Sequence, residues 1–179
     1  MNSSNDQRFA VTETTARAVL STPGRWLTQV TVAVDPEVAY RFVSTPRNWQ
    51  RYFRITRELE GEPVDRHATY GDQFVERTQG LAWFLDPIAW IVVADKPPNL
   101  WRIRGWRQIG RLWRREIGSI TYRCAPAGEQ RTEITREMTF EVGAIAPLLL
   151  LRARTEREFV TSLNRLRDVL EETGQRKTR

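Results

Sequence analysis

Val32-Ala33-Val34-Asp35-Pro36-Glu37-Val38-Ala39-Tyr40-Arg41-Phe42-Val43 changes its hydrophobic period halfway along. Upstream, from Arg25, Trp26, Thr28, Val30, Val32 and Val34 alternate with Leu27, Gln29, Thr31 and Ala33, the period of a strand with two unlike faces. Downstream, Val38, Phe42 and Val43 share one side of a helix running Glu37 to Ser44. The switch carries its own punctuation. Asp35 is placed to cap the free amides, Pro36 takes the first helical position, and Glu37 favours the positive end of the helix dipole. Thr45-Pro46 ends the helix, and Arg47 to Phe53 reads as a second, shorter helical turn carrying Trp49, Tyr52 and Phe53.

Beyond this strand and two helices, strand-like runs alternate with turn residues: Ile55 to Glu60, Gly71 to Gln79, Ile88 to Asp95, Leu100 to Arg107, Glu116 to Ala125 and Arg131 to Val142. Gly61-Glu62-Pro63, Asp86-Pro87, Lys96-Pro97-Pro98-Asn99, Gly110 and Pro126-Ala127-Gly128 separate them. Such a succession predicts an antiparallel meander. From Pro147 to Thr173, Leu148, Leu151, Phe159, Leu163, Leu166, Val169 and Leu170 follow helical spacing, with Arg152, Arg154, Arg157, Arg165 and Arg167 opposite. A helix of about 25 residues is about 38 Å long, enough to cross a whole domain. Gly174 and a basic tail, 175–179, are expected to close it. At the other end, residues 1–24 are polar and read as a flexible arm, with a short helix between Thr14 and Leu20 as its one expected element. The domain is thus expected over 25–174.

This order of elements, with Asn48-Trp49 after the first helix, Tyr70-Gly71-Asp72-Gln73-Phe74, and the Asp95-Lys96-Pro97-Pro98-Asn99-Leu100 corner, resembles the START-like (SRPBCC) superfamily. Its members include polyketide cyclases and dehydrases, pollen-allergen-like proteins and coenzyme Q-binding proteins. The resemblance implies an α+β helix-grip fold. A curved antiparallel sheet of about seven strands would wrap the long C-terminal helix, with two short helices after the first strand and an apolar cavity between. The same scaffold serves transport, sensing and catalysis, so the fold alone assigns no activity.

Composition narrows the classes. The chain has 179 residues, of which 40% are hydrophobic and 28% charged, as one ordinary globular domain requires. A single cysteine, Cys124, excludes an internal disulfide, and no Cys/His spacing suggests zinc; neither a metal nor a cofactor is expected. The N-terminal residues are polar, without the apolar stretch of a signal peptide, and no run approaches the about 20 apolar residues of a bilayer span. A cytoplasmic protein is the expectation. Net charge is +6, yet the basic residues, all but two of them arginine, are scattered over strands and helices rather than lined along one, so nucleic acid is not an expected partner.

Strand parity then selects the inward side chains. In the last strand Ile134, Met138, Phe140 and Val142 share a face with Arg136, a charge among core residues. Such a guanidinium needs a carboxylate, carbonyls, water or a ligand anion, or else must bend to a solvated rim; Glu76, sharing parity with Phe74, is one candidate partner. Trp83, Trp90, Trp101, Trp106 and Trp113 fall in the strand region; most are expected in the core or at the rim, with Trp90 and Trp101 the best placed to face a ligand. Tyr122 faces inward with Ile120 and Cys124, and Tyr52 lies where the second helix would guard the mouth. The expected ligand contacts are therefore Tyr52, Phe74, Trp90, Trp101, Tyr122, Arg136, Met138 and Phe159. The expected function is binding or transport of an apolar small molecule: a lipid, isoprenoid, quinone or polyketide-like compound. A cyclase or dehydratase is the alternative, with His67, Asp72 or Glu76 moving a proton. His67 itself reads as a solvated loop residue with no activated serine or cysteine nearby. Gly80 to Pro87, with Trp83 and Phe84, offers an apolar tip for weak membrane contact or for a protein partner, though a packed hairpin is the simpler account.

Overall fold

A computed structural model gives the fold and describes residues 15–22, 24–80, 85–109, 113–141 and 152–177. Eight antiparallel strands form one sheet: β1 (Arg17–Thr22), β2 (Arg25–Val32), β3 (Thr56–Glu60), β4 (Gln73–Thr78), β5 (Ile88–Lys96), β6 (Leu100–Ile109), β7 (Trp113–Pro126) and β8 (Thr132–Phe140). Their order across the sheet is β1-β2-β8-β7-β6-β5-β4-β3. Between β2 and β3 come α1 (Pro36–Val43), a short 3-10 turn and α2 (Trp49–Tyr52), and α3 (Arg152–Lys177) follows the last strand. This is the helix-grip α+β architecture.

Three sequence expectations change. Residues 17–22 belong neither to a helix nor to a free arm; they form the edge strand, paired with β2 from Arg17↔Gln29 to Thr22↔Arg25. A six-residue helix alone is marginal in water, whereas a hairpin satisfies its amides on a strand already fixed in the core. The Ala16 amide also donates to Asn164 Oδ1 of α3 at 2.8 Å, which ties the strand to the helix. At the other end α3 runs on through Gly174 to Lys177, since one glycine weakens a helix by about 1 kcal/mol without stopping it. The expected start of that helix, Pro147 to Leu151, and Val142 lie outside the described residues. Asp35 holds the N-cap position of α1, but through its carbonyl, which accepts from the Ala39 amide; its side chain caps nothing.

The inward face follows the period-two reading. Trp26, Thr28, Val30 and Val32 on β2 lie beside Thr132, Ile134, Arg136 and Met138 on β8, all buried, in the register Trp26↔Met138 to Val32↔Thr132. α3 answers with Thr155, Phe159, Ser162, Leu163, Leu166 and Leu170, one buried stripe at helical spacing. The sheet bends where β6 and β7 pair Gly105 with Gly118, next to a register shift. Both glycines are needed there. A Cβ on Gly105 would lie 2.7 Å from the Trp90 ring, and at Gly118, with φ +152°, one would lie 2.0 Å from the Thr139 carbonyl oxygen.

Candidate ligand cavity

The bent sheet and α3 leave a narrow cavity between them. The space not filled by atoms is about 460 Å³ counting the part open to solvent at the mouth, and the enclosed room admits only about one or two water molecules. β4 and β5 supply Glu76, Ile88 and Trp90, and β7 and β8 supply Ile120, Met138 and Phe140. Phe53, Ile55 and Leu85 border it from loops, and α3 contributes Thr155, Glu158 and Phe159. The surface is almost wholly apolar and rich in aromatic rings, the character of a site for an apolar small molecule.

Of the residues expected from sequence, Trp90, Met138 and Phe159 line this cavity. Tyr52, Phe74, Trp101, Tyr122 and Arg136 are all buried but pack behind the lining. Trp49 organises part of that layer, its ring meeting Phe74, Trp90 and Trp101 edge-on at 5.5, 6.2 and 6.1 Å between centroids. Trp101 spends its indole N–H on the Ala68 carbonyl, 2.8 Å away. Tyr52 and Tyr122 bond hydroxyl to hydroxyl at 3.1 Å, and burial keeps the Tyr52 phenol protonated far above the usual tyrosine range. Trp106 is half-buried, opposite Ala89 and Glu116 and so on the outer face of the sheet. Trp83, Phe84 and the side chain of Trp113 lie outside the described residues, and with the first two half of the expected apolar tip.

Arg136 does not bend to a rim. It is fully buried, its guanidinium 5.1 Å from the centroid of Phe53 and 5.8 Å from that of Phe159. One nitrogen, Nη2, donates to the Phe159 carbonyl at 2.6 Å and to Ser162 Oγ at 2.9 Å. Among the described residues Nε and Nη1 have no hydrogen-bond partner, and neither has the indole N–H of Trp26, whose ring is 5.4 Å from Phe159. Among the described residues no carboxylate answers the charge; the candidate partner Glu76 is bonded to Thr56 and Trp90 instead. Three buried donors on this side of the core therefore await an acceptor.

Glu76 is a second buried charge-bearing side chain and lines the cavity directly. Thr56 Oγ1 donates to its Oε1 at 2.5 Å and Trp90 Nε1 to its Oε2 at 2.9 Å. Burial raises its pKa from 4.5 to about 7, against the opposing pull of those two hydrogen bonds. Sequence parity placed Glu76 inward, but its bonding partners could not be read because Thr56 and Trp90 come from the strand on either side.

The other proton carriers face away from the cavity. Asp72 is held ionised below the usual carboxylate range by Arg66, 2.7 Å away. His67 is not the free loop residue expected. Its Nδ1 lies 2.6 Å from Ser44 Oγ and its Nε2 3.2 Å from Asp95 Oδ1, while Asp95 also accepts from the Tyr40 hydroxyl. This is a Ser–His–Asp array, yet Ser44 is fully buried and its hydroxyl also lies 2.7 Å from the Tyr40 carbonyl. A nucleophile must reach substrate, and this one is enclosed. The array joins α1 to the end of β5. Cys124 is likewise inert, its thiol pushed up to about 12 by burial.

The family described as "Polyketide cyclase / dehydrase and lipid transport" matches residues 11–171. The chain belongs to this family. The match takes in β1, so this strand is part of the shared domain. No curated protein matches the sequence. Similar solved structures include a protein of Arthrobacter aurescens determined by NMR, 14% identical, with a TM-score of 0.64 over 87% of this chain and 91% of that one. A hypothetical protein of Helicobacter pylori is also 14% identical, TM-score 0.64, covering 83% and 88%. A protein from the dynemicin biosynthetic locus is 16% identical, TM-score 0.54, covering 84% of this chain and 48% of that one. At these identities the likeness is one of fold. Among the described residues of this family member no helix is long and apolar enough to cross a membrane, and no cluster of His, Cys, Asp and Glu could hold a metal.

Proposed function

We propose that the protein binds an apolar small molecule, such as a lipid, isoprenoid, quinone or polyketide-like compound, in the cavity between sheet and α3, with an accepting oxygen turned toward Arg136. The carrying observation is the buried guanidinium with two nitrogens unpartnered, stacked on Phe53 and Phe159, both of which line the cavity. An unpaired buried charge costs several kcal/mol, and an acceptor arriving with a ligand removes much of that cost. To reach it, the ligand parts the two rings. Trp90, Met138 and Phe159 would touch the apolar body, with Tyr52, Phe74, Trp101 and Tyr122 as the layer that fixes the wall. Each buried methylene contributes about 0.8 kcal/mol, so ten carbons give about 8 kcal/mol against an association cost of at least about 4 kcal/mol. The net of about 4 kcal/mol is a Kd of about 1 mM, and about fifteen carbons would be needed to bring it to about 1 μM on apolar burial alone.

Native mass spectrometry of protein purified without added ligand, followed by extraction, tests this. A co-purifying apolar compound at one equivalent is expected. A clean apo mass, with no thermal stabilisation by quinones, fatty acids or aromatic polyketides, would sink the reading.

A second reading, a cyclase or dehydratase, is favoured by one observation: Glu76, at about 7, is balanced between its acid and base forms inside the cavity. Turnover of an enolisable polyketide mimic that disappears in Glu76→Gln with ligand affinity retained would support it.

A further inference from the structure

The polarity of the cavity lining specifies more than an apolar occupant. Among the described residues its polar members are Glu76, Thr155 and Glu158, with no basic residue. Glu158 is partly exposed and 3.1 Å from Arg165, so its charge is answered. Glu76 lies deeper and has no such cation. Arg136 spends its bonding nitrogen on Phe159 and Ser162, and the charged neighbour that acts on Glu76 is Asp86, of like sign.

A carboxylate offers about four lone-pair sites. Thr56 and Trp90 fill two at Glu76, so the group faces the cavity with acceptor capacity to spare. A cationic group is a poor match, because taking a charge out of water into an almost wholly apolar cavity costs more than a carboxylate already bonded to Thr56 and Trp90 returns. A carbonyl or ether oxygen can only accept, so it meets the acid form of Glu76 but sets acceptor against acceptor when the group is ionised, whereas a hydroxyl can donate to the carboxylate and accept from the acid. A neutral O–H fits both restrictions.

We infer that the occupant carries a hydroxyl, phenolic or alcoholic, at its buried end and that this hydroxyl donates its hydrogen to the Glu76 carboxylate. The inference rests on the apolar-ligand reading and deepens it. Apolar surface supplies the affinity, and Glu76 selects among molecules of one shape by whether they bring a donor. A site built to bond a substrate hydroxyl rejects the analogue lacking it, because its own buried group is then left unmet.

The test uses 1-naphthol, 1-methoxynaphthalene and naphthalene as probes, titrated into the full chain by calorimetry. Wild type is expected to bind the naphthol at least about tenfold more tightly than either analogue, the size of one hydrogen bond to a charged acceptor. In Glu76→Met that preference collapses, while the hydrocarbon binds at least as well as before. Glu76→Gln, which keeps the shape of the acid and a single carbonyl acceptor, is expected to fall between the two. Equal binding of all three probes by wild type, or a preference that survives in Glu76→Met, overturns the inference and leaves the apolar-ligand reading standing. If no probe binds, this inference falls, while the apolar-ligand reading is decided by the native mass measurement; the wild-type ratio decides the matter even if Glu76→Met does not fold.

Discussion

Replacing Glu76 by Gln should change how stability depends on pH more than it changes stability in acid. The amide has the shape of the acid, can accept from Trp90 and donate to Thr56, and cannot ionise. In the folded protein the Glu76 carboxyl takes its proton at about 7 instead of the ordinary 4.5. Between those values the folded state holds a proton that the unfolded state has lost, so ΔG of unfolding falls as pH rises. At about 1.4 kcal/mol for each tenfold change in proton affinity, the whole effect is about 3 kcal/mol, of which about 2–3 kcal/mol is lost between about pH 5 and about pH 8. Urea unfolding followed by tryptophan fluorescence at several pH values, wild type minus Glu76→Gln, reads this directly. Taking the difference cancels groups common to both proteins. Asp72, held low by Arg66, and Glu137, held low against its partial burial by Arg123 and Arg25, act in the opposite sense and at lower pH. A difference that stays level within about 1 kcal/mol over that range would show that Glu76 is solvated or paired in solution and would refute the reasoning.

Three further outcomes follow from the same contacts. Arg136→Met replaces an unanswered buried charge with an apolar chain of similar length and should raise stability by about 1–4 kcal/mol in chemical denaturation; a loss would mean that the guanidinium is fully satisfied. Gly105→Ala sets a methyl 2.7 Å from the Trp90 ring and should cost about 1–3 kcal/mol, with a changed tryptophan emission as that ring shifts away from Glu76. Ser44→Ala should lose only about 1 kcal/mol in thermal or chemical unfolding, and wild type should remain unlabelled by a fluorophosphonate; labelling at Ser44 would show the Ser–His–Asp array to be open to substrate.

Much of the inner surface was legible because a strand has the simplest period in protein structure. Once Trp26 to Val34, Ile134 to Phe140 and Ile120 to Cys124 were read as alternating, their inward members followed, Arg136 included. Helical spacing likewise placed Phe159, Leu163, Leu166 and Leu170 on the buried side of α3. The edge strand at 17–22 escaped because a short polar segment has little preference alone and takes its conformation from the neighbour it pairs with. The bonds of His67 escaped for a related reason: Ser44, Asp95 and Tyr40 are distant in sequence, and nothing local marks them as neighbours.

From its own pattern of periods, turn residues and one long amphipathic helix, the sequence determined the class of fold and which side chains leave water. Those are properties of local geometry and of hydrophobicity, and each residue carries them individually. Only the tertiary structure decided which buried groups reach the cavity and which stand behind it, that Arg136 and Glu76 do not pair, and that the cavity wall keeps a carboxyl with no cation beside it. Such facts depend on how strands far apart in sequence curve toward one helix, and a difference of a few ångströms there separates a lining residue from a packed one.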